Sequence, residues 1–316
     1  MAADDAVEVG WHLVVDPACD GWRLDRFLAL RLTRVSRARA ARLAVLDEDD
    51  RGRGPLKKSA PVRKGQRLFV ERPLPDAGVS LPPPTILHAD DDLLVLDKPA
   101  GWAAHPTATR YAGTLKYWLA TEGYDTEHEP VHRLDVETSG VIAIARTAAA
   151  ARFYKMALEN RAFEKTYLCV VEGAAPAEFT VDIPLGFEPD TALKLALKMG
   201  RGTLAAETRF QRLWTDGRRS VLVARPITGR QHQIRVHAAL SGCPLVGDKL
   251  YGPDEQLFLA SLERALTPDE LARLGHPRQA LHAWRLALPS PAGDVRVFEA
   301  PWPAELSGLA PGFTLG

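Results

Sequence analysis

An α+β fold is predicted for this 316-residue chain, and three observations carry the prediction. Short apolar runs of strand length recur at Leu93–Leu96, Val141–Ala145, Tyr167–Val171 and Val221–Ala224. Helical patterns do not alternate regularly with these runs, which disfavours a doubly wound parallel sheet. Prolines at Pro73, Pro75 and Pro82-Pro83-Pro84 set a small N-terminal region apart, because proline fixes φ and biases its predecessor toward extended backbone. The expected architecture is a mixed, largely antiparallel sheet with flanking helices, preceded by a small α+β domain. Its expected divisions are an N-terminal segment (1–20), a small domain (21–73), a proline-rich linker (74–85) and a large domain (86–316).

In chain order, Leu24, Phe27, Leu28 and Leu32 fall at i, i+3, i+4 and i+8, one apolar stripe of a short helix. Ser36 is placed to cap a second helix running through about Leu46, with Arg37, Arg39 and Arg42 distributed around it. The acids Asp47 to Asp50 and the loop Arg51–Gly54 follow, and Arg67–Val70 reads as a strand. Thr147 is placed to cap an alanine-rich helix reaching about Asn160. Thr228 and Gln231 have capping-box spacing, so a helix is expected there that ends near Ser241-Gly242 and carries Arg230, His232 and Arg235 in its first two turns.

Zero net charge hides an asymmetry. Residues 1–20 carry five acids and no Lys or Arg, whereas residues 21–73 carry 15 Lys and Arg against 6 acids. A basic block of this kind marks either a polyanion-binding surface or an ordinary solvated face. No run of about 18 apolar residues predicts a membrane span, and the acidic start lacks the order of a signal peptide. Cys19, Cys169 and Cys243 are too few and too scattered for a disulfide framework or a Cys-x-x-Cys metal site, which points to a reducing cytoplasm.

Phosphate-binding glycine loops, dinucleotide fingerprints, His-Glu-x-x-His and Gly-x-Ser-x-Gly are all absent from the sequence, so nucleotide hydrolysis, redox chemistry and zinc hydrolysis lose support. Three polar segments interrupt the apolar sequence instead: His132 through Gly140, Lys165-Thr166-Tyr167, and Arg225 through His237. An Asp beside an Arg, as at Asp135, fits a nucleophile or base kept ionised by a cation, and equally an Asx-type turn. The third segment fits a phosphate site at a helix N-terminus, and equally a capped helix with a solvated basic face. A tyrosine opening a strand, as Tyr167 does, ordinarily packs half-buried with its hydroxyl in water.

Together and in order, these segments resemble the RluA-type pseudouridine synthase family over nearly the whole chain. The matching stretches are Lys98-Pro99-Ala100-Gly101 with His105-Pro106; His132-Arg133-Leu134-Asp135 with Thr138-Ser139-Gly140; Lys165-x-Tyr167 with Val171-x-Gly173; Arg225 through His237; Gly247-Asp248-x-x-Tyr251-Gly252; and Leu281-His282-Ala283. The basic block in turn resembles the small S-four-like RNA-binding domain of ribosomal-protein type, on Arg23-Leu24-Asp25, Phe27-Leu28, Ser36-Arg37 and Val62 through Val70. It departs from that domain at Asp47–Gly54, where a Gly-x-Val-x-Val-Asn-Gly stretch is usual.

The resemblance implies an isomerase that detaches uracil from ribose C1′, turns it while bound and rejoins it through C5, with no cofactor and no metal. It implies Asp135 as the essential carboxylate, Arg235 as its salt-bridge partner and Tyr167 beside the target base. Three roles stay open for Asp135: attack at C1′, attack on the uracil ring, or removal of the C2′ proton. A buried uridine must leave its stack to react, and Arg133 matches the residue that enters the vacated space. His132, Lys165, Arg230 and His232 are expected to contact RNA or support the site, with Arg37, Arg39 and Arg42 as RNA contacts of the small domain. The expected partner is RNA, ribosomal RNA of the large subunit first and transfer RNA second, with no membrane and no obligate protein partner. Two other readings are a glycoside hydrolase using Asp135 and Glu137, projecting to one face of an extended segment, and an RNA-binding protein without catalysis. The close placement of the two acids fits poorly with flanking a sugar, and binding alone has no need of Asp135, Tyr167 and Arg235 together.

Overall fold

The computed structural model describes residues 10–32, 43–71, 81–106, 113–124, 128–187 and 198–315. The chain divides into two units, Met1–Ser80 with His105–Trp118 and Leu81–Ala104 with Leu119–Gly316.

The first unit contains β1 (Gly10–Val14), α1 (Leu24–Arg31), β2 (Val45–Asp47) and β3 (Arg67–Glu71). Its strands form an antiparallel sheet in the order β1-β3-β2. The stripe predicted for α1 faces the core, with Leu24, Phe27, Leu28 and Leu32 buried against Val45, Val62, Leu68 and Val70. Two expectations change. The stretch from residue 10 to 20 is no separate segment, because β1 pairs with β3 and Val15 and Cys19 enter this core. Val45 and Leu46 lie in a strand rather than at the end of a helix, since they pair with Val70 and Phe69 across the sheet. Ser36, Arg37, Arg39 and Arg42 lie outside the described residues.

The following elements are β4 (Thr85–Ala89), β5 (Leu93–Lys98), α2 (Leu115–Thr121), β6 (Glu129–Pro130), β7 (Ser139–Ala145), α3 (Ala148–Glu159), β8 (Glu164–Glu172), β9 (Glu178–Val181), β10 (Leu185–Phe187) and β11 (Met199–Arg201). After them come β12 (Thr208–Thr215), β13 (Arg219–Pro226), α4 (Gln233–Leu240), α5 (Gln256–Glu263), α6 (Pro268–Leu274), β14 (Leu281–Pro289), β15 (Val295–Glu299) and α7 (Ala304–Ser307). A ten-stranded sheet runs β4-β5-β7-β14-β8-β13-β12-β9, with β15 on β14 and β6 on β7. Among the described residues, only its β7–β14 pairing is parallel. The fold is therefore α+β with a mixed, largely antiparallel sheet, as expected.

The central strands read as continuous apolar runs because both of their faces are covered. Along β7, Val141, Ala143 and Ala145 meet Ala150, Ala151 and Tyr154 of α3. The alternate residues Ile142 and Ile144 are equally buried on the opposite face. Thr147 caps α3 through its side chain, accepting from Ala150 N at 3.1 Å, an interaction worth about 1 kcal/mol. The predicted capping box at Thr228 is absent. α4 begins at Gln233, and Thr228 and Arg230 lie before it in a loop, with His232 at the N-cap. A true capping box does form elsewhere, between Thr267 and Glu270 at the start of α6.

Candidate active site

Asp135 lies in the loop leading into β7, and backbone chemistry fixes that loop. Thr138 N donates to Asp135 O at 3.1 Å, and Gly101 N donates to Val136 O at 2.8 Å. The buried Lys98 ammonium donates to Trp102 O at 2.9 Å, to Pro99 O at 3.1 Å and to Val136 O at 3.3 Å. At the loop's end Gly140 has φ +108°, and a Cβ there would stand 2.2 Å from Ala283 O. Only glycine fits where β7 and β14 run this close.

The turn corrects the expectation for Asp135 and Glu137. They do not project together from an extended segment, since Glu137 turns to an ion pair with Lys249 and accepts from Gln279 N at 3.3 Å. The carboxylate pair that a glycosidase requires is not formed.

Arg235 Nη1 donates to Asp135 Oδ2 at 2.9 Å. Its other edge is taken by Asp248, with Nε to Oδ2 at 2.7 Å and Nη2 to Oδ1 at 2.8 Å. Asp248 Oδ1 also accepts from Leu250 N and Tyr251 N, each at 3.0 Å, so it holds the guanidinium from a fixed position. Gln279 Nε2 donates to Thr138 Oγ1 at 2.7 Å and approaches Asp135 Oδ2 at 3.4 Å. Burial works to raise the Asp135 pKa, but the Arg235 charge together with His232 and the hydrogen bonds from Arg235 and Gln279 outweighs it, and the net direction is down. For Asp248 likewise, burial is overcome by Arg235. The site thus holds two ionised carboxylates around one cation.

Asp135 lines a cavity of about 720 Å³ together with Arg133, Lys165, Tyr167, Arg230 and His232, among others, and its Oδ1 lies 3.8 Å from His232 Nε2. Lys165 and Tyr167 share a face of β8 because they are two residues apart on a strand. Tyr167 is buried rather than half in water, and burial together with the Asp135 charge pushes its phenol pKa up. Burial brings Lys165 down to about 8. His132 also lines the cavity, but its Nε2 accepts from Ala143 N at 3.1 Å, and burial lowers it to about 3. His132 is thereby tied to β7. Arg230 Nε donates to Ala205 O at 3.0 Å.

Gln233 holds the loop before α4, accepting from Thr228 Oγ1 at 2.6 Å and Arg230 N at 3.0 Å. The predicted residues Asp135, Tyr167, Arg235, Arg133, His132, Lys165, Arg230 and His232 all converge on the one cavity. Gln233 also lines the cavity, and Asp248, Tyr251 and Gln279 bond residues that line it; none of the four was among the predicted site residues. Their only sequence signal is that Asp248 and Tyr251 stand in Gly247-Asp248-x-x-Tyr251-Gly252 and Gln233 in the Arg225–His237 stretch; Gln279 has none. Among the described residues, no group of three or more His, Cys, Asp or Glu stands ready for a metal ion.

An ionised aspartate in a cavity lined by arginine, lysine and tyrosine is the kind of site an enzyme acting on nucleic acid requires. The family model for RNA pseudouridylate synthases matches residues 92–240. The chain belongs to the RluA-type RNA pseudouridine synthase family, and it is an RNA-modifying isomerase.

It is 36% identical over 301 residues to an uncharacterised RNA pseudouridine synthase of Mycobacterium tuberculosis, covering 90% of this chain and 92% of the relative. It is 33% identical over 305 residues to ribosomal large subunit pseudouridine synthase D of Neisseria meningitidis, covering 92% of this chain and 78% of the relative. Human RNA pseudouridylate synthase domain containing 1 shares the fold, with a TM-score of 0.56 at 24% identity over 71% of this chain and 85% of the human one.

Proposed function

We propose that this enzyme isomerises uridine in ribosomal RNA of the large subunit, with Asp135, Arg235 and Tyr167 as its catalytic residues. The observation that carries the residue assignment is the asymmetry of the Asp135 carboxylate. Oδ2 is engaged by Arg235, whereas Oδ1 takes no Arg235 bond and lies on the side of His232, another residue lining the cavity. A cation on one oxygen keeps the group ionised and leaves the other oxygen for the ribose or the uracil. Tyr167, held as a neutral phenol, packs against the base rather than acting as a phenolate.

Arg133 enters the space the uridine leaves, where its planar guanidinium stacks on bases and binds phosphate. Lys165, Arg230, His132 and His232 contact RNA or support the site. The ribosomal target is supported by the name of the Neisseria relative and by the basic content of residues 21–73, read as an S-four-like RNA-binding domain. That domain reading includes Arg37, Arg39 and Arg42. A cytoplasmic location is supported by that substrate and by three buried, free cysteines. Among the described residues no helix is long and apolar enough to cross a membrane.

The test is to map pseudouridine in cellular RNA with and without the gene, and to incubate the enzyme with large-subunit RNA tritiated at uridine C5. The expected result is tritium release without strand cleavage or free uracil, at a site lost in the deletion strain. Loss of a pseudouridine from transfer RNA alone would move the target there.

A further inference from the structure

His232 stands in an unusual backbone state for a side chain of its size, with φ +53° and ψ +18° at the N-cap of α4. A non-glycine residue in the left-handed region persists when its surroundings hold it there. Here the ring is held on both sides. Its Nδ1 lies 2.9 Å from Tyr251 Oη, and its Nε2 lies 3.8 Å from Asp135 Oδ1. Tyr251 Oη already accepts from Met199 N at 2.9 Å. Giving its own hydrogen to His232 Nδ1 satisfies the phenol, and a proton on Nε2 faces the Asp135 carboxylate favourably; this pairing assigns Nδ1 as the acceptor and Nε2 as the protonated nitrogen. Burial, working against the Asp135 charge, lowers the His232 pKa to about 4, so the ring is neutral near pH 7.

We propose that His232 is a catalytic hydrogen-bond donor, presenting a neutral Nε2–H beside the reacting oxygen of Asp135 to a carbonyl oxygen of the target uracil, with Tyr251 as the positioning residue that fixes its tautomer. The inference rests on the assignment of Asp135 to the chemistry, and it holds for all three routes open to that residue. Attack at C1′ breaks the C1′–N1 bond and its electron pair leaves with uracil. Removal of the C2′ proton forms a C1′–C2′ double bond and expels the same pair onto uracil. Attack on the ring moves a pair from the carboxylate into the ring and onto its carbonyl. Each route ends with negative charge on a uracil oxygen. A neutral donor already aimed there stabilises that charge more than the uncharged base, which is the condition for lowering a barrier. The placement fits, because a base whose ribose meets Oδ1 has its own oxygens near the atom 3.8 Å away. A charged imidazolium would instead be held by Asp135, tying up the oxygen that has to react.

The inference is tested first on the unsubstituted protein by nitrogen NMR of labelled histidine. His232 is expected to be a neutral Nε2–H ring at pH 7. A neutral Nδ1–H ring or an imidazolium overturns the inference without reference to activity. Second, kcat and KM are measured on one RNA. His232→Ala is expected to lower kcat by about 10²-fold, the usual effect of removing one such donor, with KM little changed. His232→Gln, which keeps a side-chain N–H, is expected to recover part of the loss. Tyr251→Phe is expected to lower kcat by a smaller factor and to mix the two His232 tautomers in the spectrum. Full kcat in His232→Ala with normal pseudouridine formation would overturn the inference and leave the proposed function standing. An unsubstituted enzyme without activity on any RNA would overturn the function, while the NMR result would still decide the tautomer.

Discussion

Asp248 grips Arg235 through two parallel hydrogen bonds of 2.7 and 2.8 Å, and so orients the guanidinium that reaches Asp135. Neither Asp248 nor its carboxylate oxygens line the cavity. Asp248 acts through Arg235, and breaking a buried pair of this kind costs about 3–5 kcal/mol. Asp248→Ala is expected to lose that much stability by urea denaturation. Asp248→Asn, which keeps an oxygen for Leu250 N and Tyr251 N, should lose less and still show reduced kcat. Unchanged kcat in a folded Asp248→Asn enzyme would contradict the positioning role.

Asp135→Asn should abolish isomerisation, lowering the rate by on the order of 10³-fold or more, while RNA affinity changes little. Affinity comes mostly from phosphate contacts spread over a basic surface. Tritium release and filter binding on the same preparation check both halves.

Much of this site was readable from the sequence, because the residues that line the cavity sit in short stretches with fixed internal spacing. Lys165 and Tyr167 needed only the strand period to share a face. The supporting residues were not readable. Gln279 meets Asp135 from 144 positions away, and no local pattern encodes such a contact. The capping-box spacing at Thr228 misled for a related reason. The glutamine that bonds Thr228 is Gln233, five positions on, and the loop that allows this is stabilised by Gln233 donating to Glu207 O and Thr208 Oγ1. Tertiary hydrogen bonds overrode a local cap. In the first unit the same competition turned Val45 and Leu46 into strand, where pairing with β3 outweighed helical spacing.

The pH dependence should show two separate events. The folded Asp135 pKa lies below its ordinary value. Its contribution to stability is therefore present above the unfolded pKa and is lost as pH falls through the folded one. Activity should accordingly show no acid limb from Asp135 in the ordinary carboxylate range or above it. Lys165 titrates near 8 in the fold against 10.5 unfolded. Its neutral form is the one the fold favours, so its contribution to stability rises as pH climbs from about 8 towards 10.5. Over the same range the cavity loses a positive charge and KM for RNA should increase. Lys165→Met should remove that alkaline rise in KM. A profile unchanged by the substitution would assign the limb to another group.

Gly140→Ala should destabilise the protein by at least about 3 kcal/mol, combining a strained backbone with backbone contact. Its Cβ would meet Ala283 O at 2.2 Å, and that atom has no side-chain freedom to move away. Thermal or urea unfolding would show it directly, and a loss below 1 kcal/mol would mean that β7 and β14 separate easily.

Lys57, Arg63 and Lys64 are exposed basic residues of the first unit. If this unit binds RNA phosphates, changing all three to Gln should reduce the slope of log affinity against log salt by about 2. Equal slopes would mean that these charges are an ordinary solvated surface.

Asp135 and its partner Arg235 are exactly 100 positions apart in the chain. Non-local contacts of this separation close slowly and late during folding. A chain that has collapsed but not yet brought α4 to the loop before β7 carries an aspartate with no cation beside it. Catalytic competence thus depends on long-range assembly, and recovery of turnover after denaturation should not precede recovery of the sheet signal, making the activity itself a clock for that step of folding.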